Sequence, residues 1–385
     1  MSKHDFSADE FAERLARVRR AIAKAGLDWL VIFHPVSIYW LIGADTKSFQ
    51  AFQCLTVSAK PGPLVILSRL SERAEFLADT LANEVRGWGG GEPADPIDAF
   101  AALADDLGLM RGRVGIEVPA YYLHPHHYER IKALLGSALV AEPTNLVHDL
   151  KQVKSTREVA YIRQATEIAD LAMARAIAAI APGRTELAVA GEVYGAMLGA
   201  NGGLPASTLN LVTGPRLAFA HGAPTERQMQ TGDGGNIEFG ATYRRYTATI
   251  GRQFNLGPPG ARHREIYDTV RRACDAFIAK VRAGVPAIVP HEAAKAVIAA
   301  AGFDRYRVHT SGYGLAPGFP PSWGEPLNLF GGSRYTLEAG MVVTVEPPVF
   351  IVEEQLGARI IDNLLVTATG AELLSRTTRD LIVVG

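Results

Sequence analysis

Three side chains in the second half of this 385-residue chain are of the types that hydrolytic chemistry needs. His221 ends the stretch Arg216-Leu217-Ala218-Phe219-Ala220-His221, ahead of a Gly232-Asp233 turn. Imidazole changes charge near neutral pH, so it is suited to carrying a proton from water to a leaving group. Glu238 lies in Asn236-Ile237-Glu238-Phe239-Gly240, and Glu346 lies in Thr344-Val345-Glu346-Pro347-Pro348. Both settings read as apolar strands with the carboxylate at an inner surface, and an interior carboxylate is costly without a partner. Two readings follow. In one, the histidine is structural and the carboxylates meet a buried arginine such as Arg252 or Arg359. In the other, paired carboxylates grip the parallel N–H groups of an amidinium or guanidinium, and His221 activates water at its carbon.

Several elements must place these groups. Ser7-Ala8-Asp9-Glu10 opens an amphipathic helix with Phe11, Leu15, Val18 and Ile22 on one stripe. Apolar runs at 29–33, 54–57, 64–67 and 114–118 read as strands, with helical patterns at 71–81 and 98–107 between them. That alternation predicts an α/β domain over residues 1–152. The polar junction 150–158 has a helix start at Ser155 or Thr156 and leads into residues 153–385. There, helices are expected at 158–180, 185–200, 262–282 and 290–301. Strands are expected at 209–213, 235–240, 243–254, 341–346 and 359–368. The segment from Gly312 to Glu325 is rich in Gly and Pro and reads as a stiff loop anchored by Trp323.

Bulk properties narrow the function. With 48% apolar and 21% charged residues, the chain has the composition of an ordinary globular protein. A formal net charge of -1 gives no field for nucleic acid or an anionic membrane. Cys54 and Cys274 have no metal-type spacing and are expected as buried reduced thiols. His124, His126 and His127 flank Pro125 irregularly, which fits a helix start better than a metal site. With no signal peptide and no bilayer-length apolar run, a cytoplasmic protein is expected.

Gly232 to Gly240, continued through Tyr246-Thr247-Ala248-Thr249-Ile250-Gly251-Arg252, resembles the metal-strand pattern of the prolidase/aminopeptidase P/creatinase family. Lys154-Ser155-Thr156-Arg157-Glu158 is similar to that family's entry into its catalytic domain, and the stretch ending at His221 is similar to its proton-transfer segment. Gly312-Tyr313 through Trp323-Gly324-Glu325 looks like the corresponding segment of the ectoine hydrolase branch. The resemblance implies an α/β N-terminal domain followed by an α+β pita-bread catalytic domain.

It also implies a difference. The metal-dependent members carry two aspartates, a histidine and two glutamates where this chain has Glu238, Thr249, Tyr313, Glu346 and Ile361. Thr, Tyr and Ile are not equivalent ligands for a divalent ion. The expectation is therefore no metal and no cofactor. The expected activity is hydrolysis of a C–N bond in a small, cationic amidine, guanidine or amide, by His221 with Glu238 and Glu346. Tyr313, Trp323, His309, Glu325, Arg216 and Phe49 are the expected substrate contacts, with Arg245 and Arg359 as further carboxylate clamps. A metal-dependent Xaa-Pro dipeptidase is the alternative, and a catalytically silent binding homologue a second. Family members are usually homodimers in which one protomer's N-terminal domain borders its partner's site, which would give Phe49 and Trp40 a role in trans.

Overall fold

The computed structural model describes residues 3–90 and 95–385. Its contacts divide the chain into two units, Met1–Lys151 and Gln152–Gly385.

In the first unit, six strands form one sheet in the order β4-β3-β2-β1-β5-β6. They are β1 Trp29–Ile32, β2 Cys54–Ser58, β3 Val65–Arg69, β4 Glu84–Trp88, β5 Val114–Ile116 and β6 Leu139–Ala141. Helix Ala8–Lys24 begins as its sequence requires: the Ser7 side chain accepts from the Glu10 amide, and Phe11, Val18 and Ile22 are buried. Two apolar clusters divide the unit's core. One is centred on Leu30, Ile32 and Leu55, the other on Val31, Phe33 and Phe100. Strand side chains alternate between these clusters, so apolar runs without polar alternation become strands buried on both faces. Helix Pro35–Ile42 was not foreseen. All eight of its residues are buried, so it has no polar stripe to betray a helical period.

In the second unit, the principal sheet runs β16-β15-β12-β10-β9-β8-β7, with β11 joined to β10 and β17 to β9. The strands are β7 Asn210–Thr213, β8 Gly234–Tyr243, β9 Tyr246–Leu256, β10 Tyr313–Phe319, β11 Ser322–Asn328, β12 Val342–Val345, β13 Val349–Ile351, β14 Leu356–Ala358, β15 Asp362–Val366, β16 Ala371–Leu373 and β17 Ile382–Val384. Helix Thr156–Ala179 starts in a reciprocal cap between Ser155 and Glu158. With helix Glu186–Gly199 it shares a core with β7, β8 and β9. Helices Ala261–Ile278 and Ile288–Ala300 share a second core with β12, β13 and β15.

The segment expected to be a stiff loop is instead the hairpin β10–β11, joined through Pro320 and Pro321. Its register is irregular, as Gly and Pro within strands require. The hairpin carries Tyr313 and Trp323 on facing strands.

Candidate functional site

A cavity of about 380 Å³ opens in the second unit, lined by His221, Glu238, His309, Tyr313, Trp323 and Glu346. Ser207, Asn210, Glu325 and Asn328 complete its polar wall. Three of these, Ser207, Asn210 and Asn328, were missed by sequence reasoning. Asn210 had a signal, because it stands opposite Glu238 in the β7–β8 register. Ser207 and Asn328 had none.

Glu238 sits at the middle of β8, a strand buried along nearly its whole length. Its Oε2 accepts from Asn210 Nδ2 at 3.2 Å and is ion-paired to Nη2 of Arg359. The same nitrogen donates to the Ala220 carbonyl at 2.6 Å. Arg359 is 1% exposed, its Nε and Nη1 have no partner, and burial pulls its pKa down to about 9. Glu238 is therefore not half of a bare carboxylate pair. The protein supplies its cation.

Glu346 follows β12 and is also 1% exposed. Its Oε1 lies 3.2 Å from His309 Nδ1, though neither carboxylate oxygen has an aligned hydrogen-bond donor. Neither Arg252 nor Arg359 is its partner, because Arg252 binds Asp362. Burial pushes the Glu346 carboxyl upward, and His309 only partly offsets it. Burial alone would lower His309, but the adjacent Glu346 carboxylate outweighs it and raises the imidazole.

The His221 ring meets that of His309 with centroids 5.2 Å apart. Although His221 remains open to solvent, partial burial, then Arg359 and His309, lower its pKa to about 4. It is thus neutral near pH 7, with a lone pair available for a proton. Tyr313 Oη accepts from Trp323 Nε1 at 3.1 Å. Burial, then the nearby Glu346, hold the phenol well above its usual pKa.

Other expected contacts are corrected. Glu325 lines the wall but is ion-paired to Lys154 Nζ at 2.6 Å, each side chain 1% exposed. The junction lysine, read only as part of a domain boundary, is thus a supporting partner of the site. Arg216 is not a substrate clamp. Its guanidinium is held by Glu186, by Thr225 Oγ1 at 3.2 Å and by the Ala223 carbonyl at 2.6 Å. Arg245 stacks 4.3 Å from the Phe319 ring centroid. Phe49 belongs to the first unit, where its ring meets Tyr122 edge-on. Trp40 is 1% exposed within that unit's core, so it is not presented to a partner.

The residues present do not fit a metal. Among the described residues, no group of three or more His, Cys, Asp or Glu side chains is placed to hold one. Thr249 Oγ1 donates instead to Asn363 Oδ1 at 2.9 Å. Ile361 is fully buried and packs against Gly251, where an added Cβ would lie 2.7 Å from Ile361 Cγ1. The cation beside Glu238 is the Arg359 guanidinium.

Comparison with known proteins places this site in a family. The profile of metallopeptidase family M24 matches residues 160–368, and that of the creatinase/prolidase N-terminal domain matches residues 14–153. The chain belongs to metallopeptidase family M24. Its fold is the α/β N-terminal domain and pita-bread catalytic domain of that family, and the family makes it a hydrolase. The chain is 30% identical to the probable dipeptidase PepE of Mycobacterium tuberculosis, over 100% of this chain and 99% of that protein. It is 27% identical to the ectoine hydrolase of Halomonas elongata, over 98% of each. The crystal structure of dipeptidase PepE from Mycobacterium ulcerans superposes with a TM-score of 0.85 at 29% identity, over 98% of this chain and 99% of that one. Among the described residues, no helix is long and apolar enough to cross a membrane.

Proposed function

We propose that this M24 protein is a metal-independent hydrolase of a C–N bond in a small amide, amidine or guanidine. One observation carries the reading: Glu238, the carboxylate that the resemblance aligns with a metal ligand, is ion-paired to Arg359 from within the protein. The remaining machinery suits metal-free hydrolysis. His221 takes a proton from water and returns it to the leaving nitrogen. Glu346, whose oxygens have no aligned donor, accepts N–H groups of the substrate, and His309 beside it balances its charge. Glu238 shapes the wall rather than gripping the ligand. A cavity of about 380 Å³ is at the small end of ligand sites and suits a compact substrate. The protein acts as a homodimer, with Phe49 of one protomer bordering the partner's cavity.

A metal-dependent dipeptidase is favoured by the PepE relatives, which are about as similar to the chain as the ectoine hydrolase. It would need three converging ligands, and among the described residues no three His, Cys, Asp or Glu side chains are placed to hold an ion, with Glu238 already paired to Arg359. The deciding experiment is a panel of cyclic amidines, guanidino acids, small amides and Xaa-Pro dipeptides, assayed with and without chelator. Turnover of a small non-peptide substrate that chelation leaves unchanged supports the proposal. Turnover confined to dipeptides and abolished by chelation overturns it, as would one or two bound transition ions per chain.

A further inference from the structure

By the motif resemblance described above, the Tyr313 phenol stands where metal-dependent members carry a histidine ligand. Its oxygen already accepts a hydrogen bond from Trp323 Nε1 at 3.1 Å. A hydroxyl that accepts still has its own hydrogen to donate, and among the described residues the Tyr313 hydroxyl donates no hydrogen bond. Tyr313 lines the cavity together with His221 and Glu346. Its backbone is fixed by β10, where the amide donates to Thr344 Oγ1 at 3.0 Å. The indole bond polarises the phenol and makes it a stronger donor. Burial and the neighbouring Glu346 keep it protonated at any working pH.

These facts constrain the substrate. Amidinium and guanidinium groups present N–H donors at the scissile carbon, so the phenol oxygen could only accept there and its hydrogen would find no ground-state partner. A carbonyl oxygen does accept, and it gathers charge when water adds. We propose that Tyr313 is a catalytic hydrogen-bond donor to the carbonyl oxygen of an amide substrate, so that the scissile bond is an amide C–N bond rather than an amidine. This rests on the reading of the protein as a metal-independent hydrolase, and narrows it.

The step balances. Water gives one proton to His221, and its oxygen bonds to the carbonyl carbon. The C=O π electrons move onto oxygen, which accepts the Tyr313 hydrogen bond. When the C=O double bond re-forms, the C–N bond breaks and the nitrogen leaves with the proton held by His221. The products are a carboxylic acid and an amine. A preorganised donor aimed at the developing oxyanion does electrostatically what a Lewis acid would do elsewhere in the family.

The test uses Tyr313→Phe, which keeps the ring and removes only the hydroxyl, so a space-filling role predicts no change. Wild type and variant are assayed on matched pairs of small amides and amidines, beginning with 2-pyrrolidinone and 2-iminopyrrolidine. We expect amide kcat to fall roughly 100- to 1,000-fold with KM within about threefold, and amidine turnover to change less than about tenfold. Amide turnover kept within fivefold overturns the assignment, as does an equal loss on both classes. A second measurement needs no turnover. In full-length protein labelled with 13Cζ-tyrosine, the Tyr313 signal, identified by its loss in the variant, should shift with 2-pyrrolidinone and not with 2-iminopyrrolidine. A shift without turnover of any panel member keeps the donor assignment and refutes the hydrolase reading. No shift with the lactam, or the same shift with both, refutes the donor.

Discussion

The guanidinium of Arg359 joins the Glu238 carboxylate to the Ala220 carbonyl, one residue before His221. One side chain thus ties the centre of β8 to the segment that presents the imidazole. Its charge also helps keep that imidazole neutral.

Removing either member of this buried pair should be costly, and removing both less so. Arg359→Met strands an anion, and Glu238→Gln strands a guanidinium whose Nε and Nη1 already have no partner. Each single variant should lose about 3–5 kcal/mol in urea denaturation, and the double variant clearly less than the sum. Additive losses would show that the two residues do not act as a pair.

His221 should matter to rate and hardly to folding. Because the ring is open to solvent, His221→Ala should change stability by no more than about 0.5 kcal/mol while abolishing turnover. The base must be unprotonated, so the acid limb of kcat/KM should fall near pH 4, where His221 titrates, and not near 6.5. A limb at the ordinary histidine value would mean that the ring does not feel Arg359.

Stability should depend on pH through the first unit in two opposite ways. Burial raises Glu117 to about 7 despite hydrogen bonds from the His34 amide and the Ser37 hydroxyl. The native state then holds a proton that the unfolded chain has released, so stability is lost as pH rises from about 4.5 to 7. His34 goes the other way. Burial and then Lys151 lower it to about 3, so stability is lost as pH falls below about 6.5 toward that value. Glu117→Gln should remove the first slope and gain roughly 1–3 kcal/mol relative to wild type between pH 5 and pH 8. Parallel urea midpoints at the two pH values would contradict this.

Both thiols should be silent in the native state. Cys54 and Cys274 are free and fully buried, and burial pushes each thiol well above its usual pKa, so the reactive thiolate is scarce. A disulfide-exchange reagent should modify neither until denaturant is added, then both. Rapid labelling of folded protein would place one at an accessible surface.

The family and most elements could be read from the chain, because amphipathic helices and apolar strands leave regular patterns. Strands β7, β8 and β9 could be anticipated from their patterns, and the β7–β8 register of the folded chain sets Glu238 beside Asn210. Hairpin β10–β11 could not, since Gly314, Pro317 and Gly318 interrupt the alternation that marks a strand. His221, Glu238, His309, Tyr313, Trp323 and Glu346 do converge on one cavity. What stayed hidden was the pairing. Arg216, Arg252 and Arg359 look alike in sequence, and only the folded chain assigns them to Glu186, Asp362 and Glu238. Lys154 is 171 positions from Glu325, a separation at which no local pattern signals contact.

The way Ile361 fills the space over Gly251 also limits how a metal-binding set could be installed here. A glutamate introduced at 361 would bring an anion into a space shaped for a hydrocarbon. An aspartate introduced at 249 would set its carboxylate against the acceptor oxygen of Asn363. Either substitution made alone therefore weakens the fold, and only a coordinated change of several neighbours would make room for an ion.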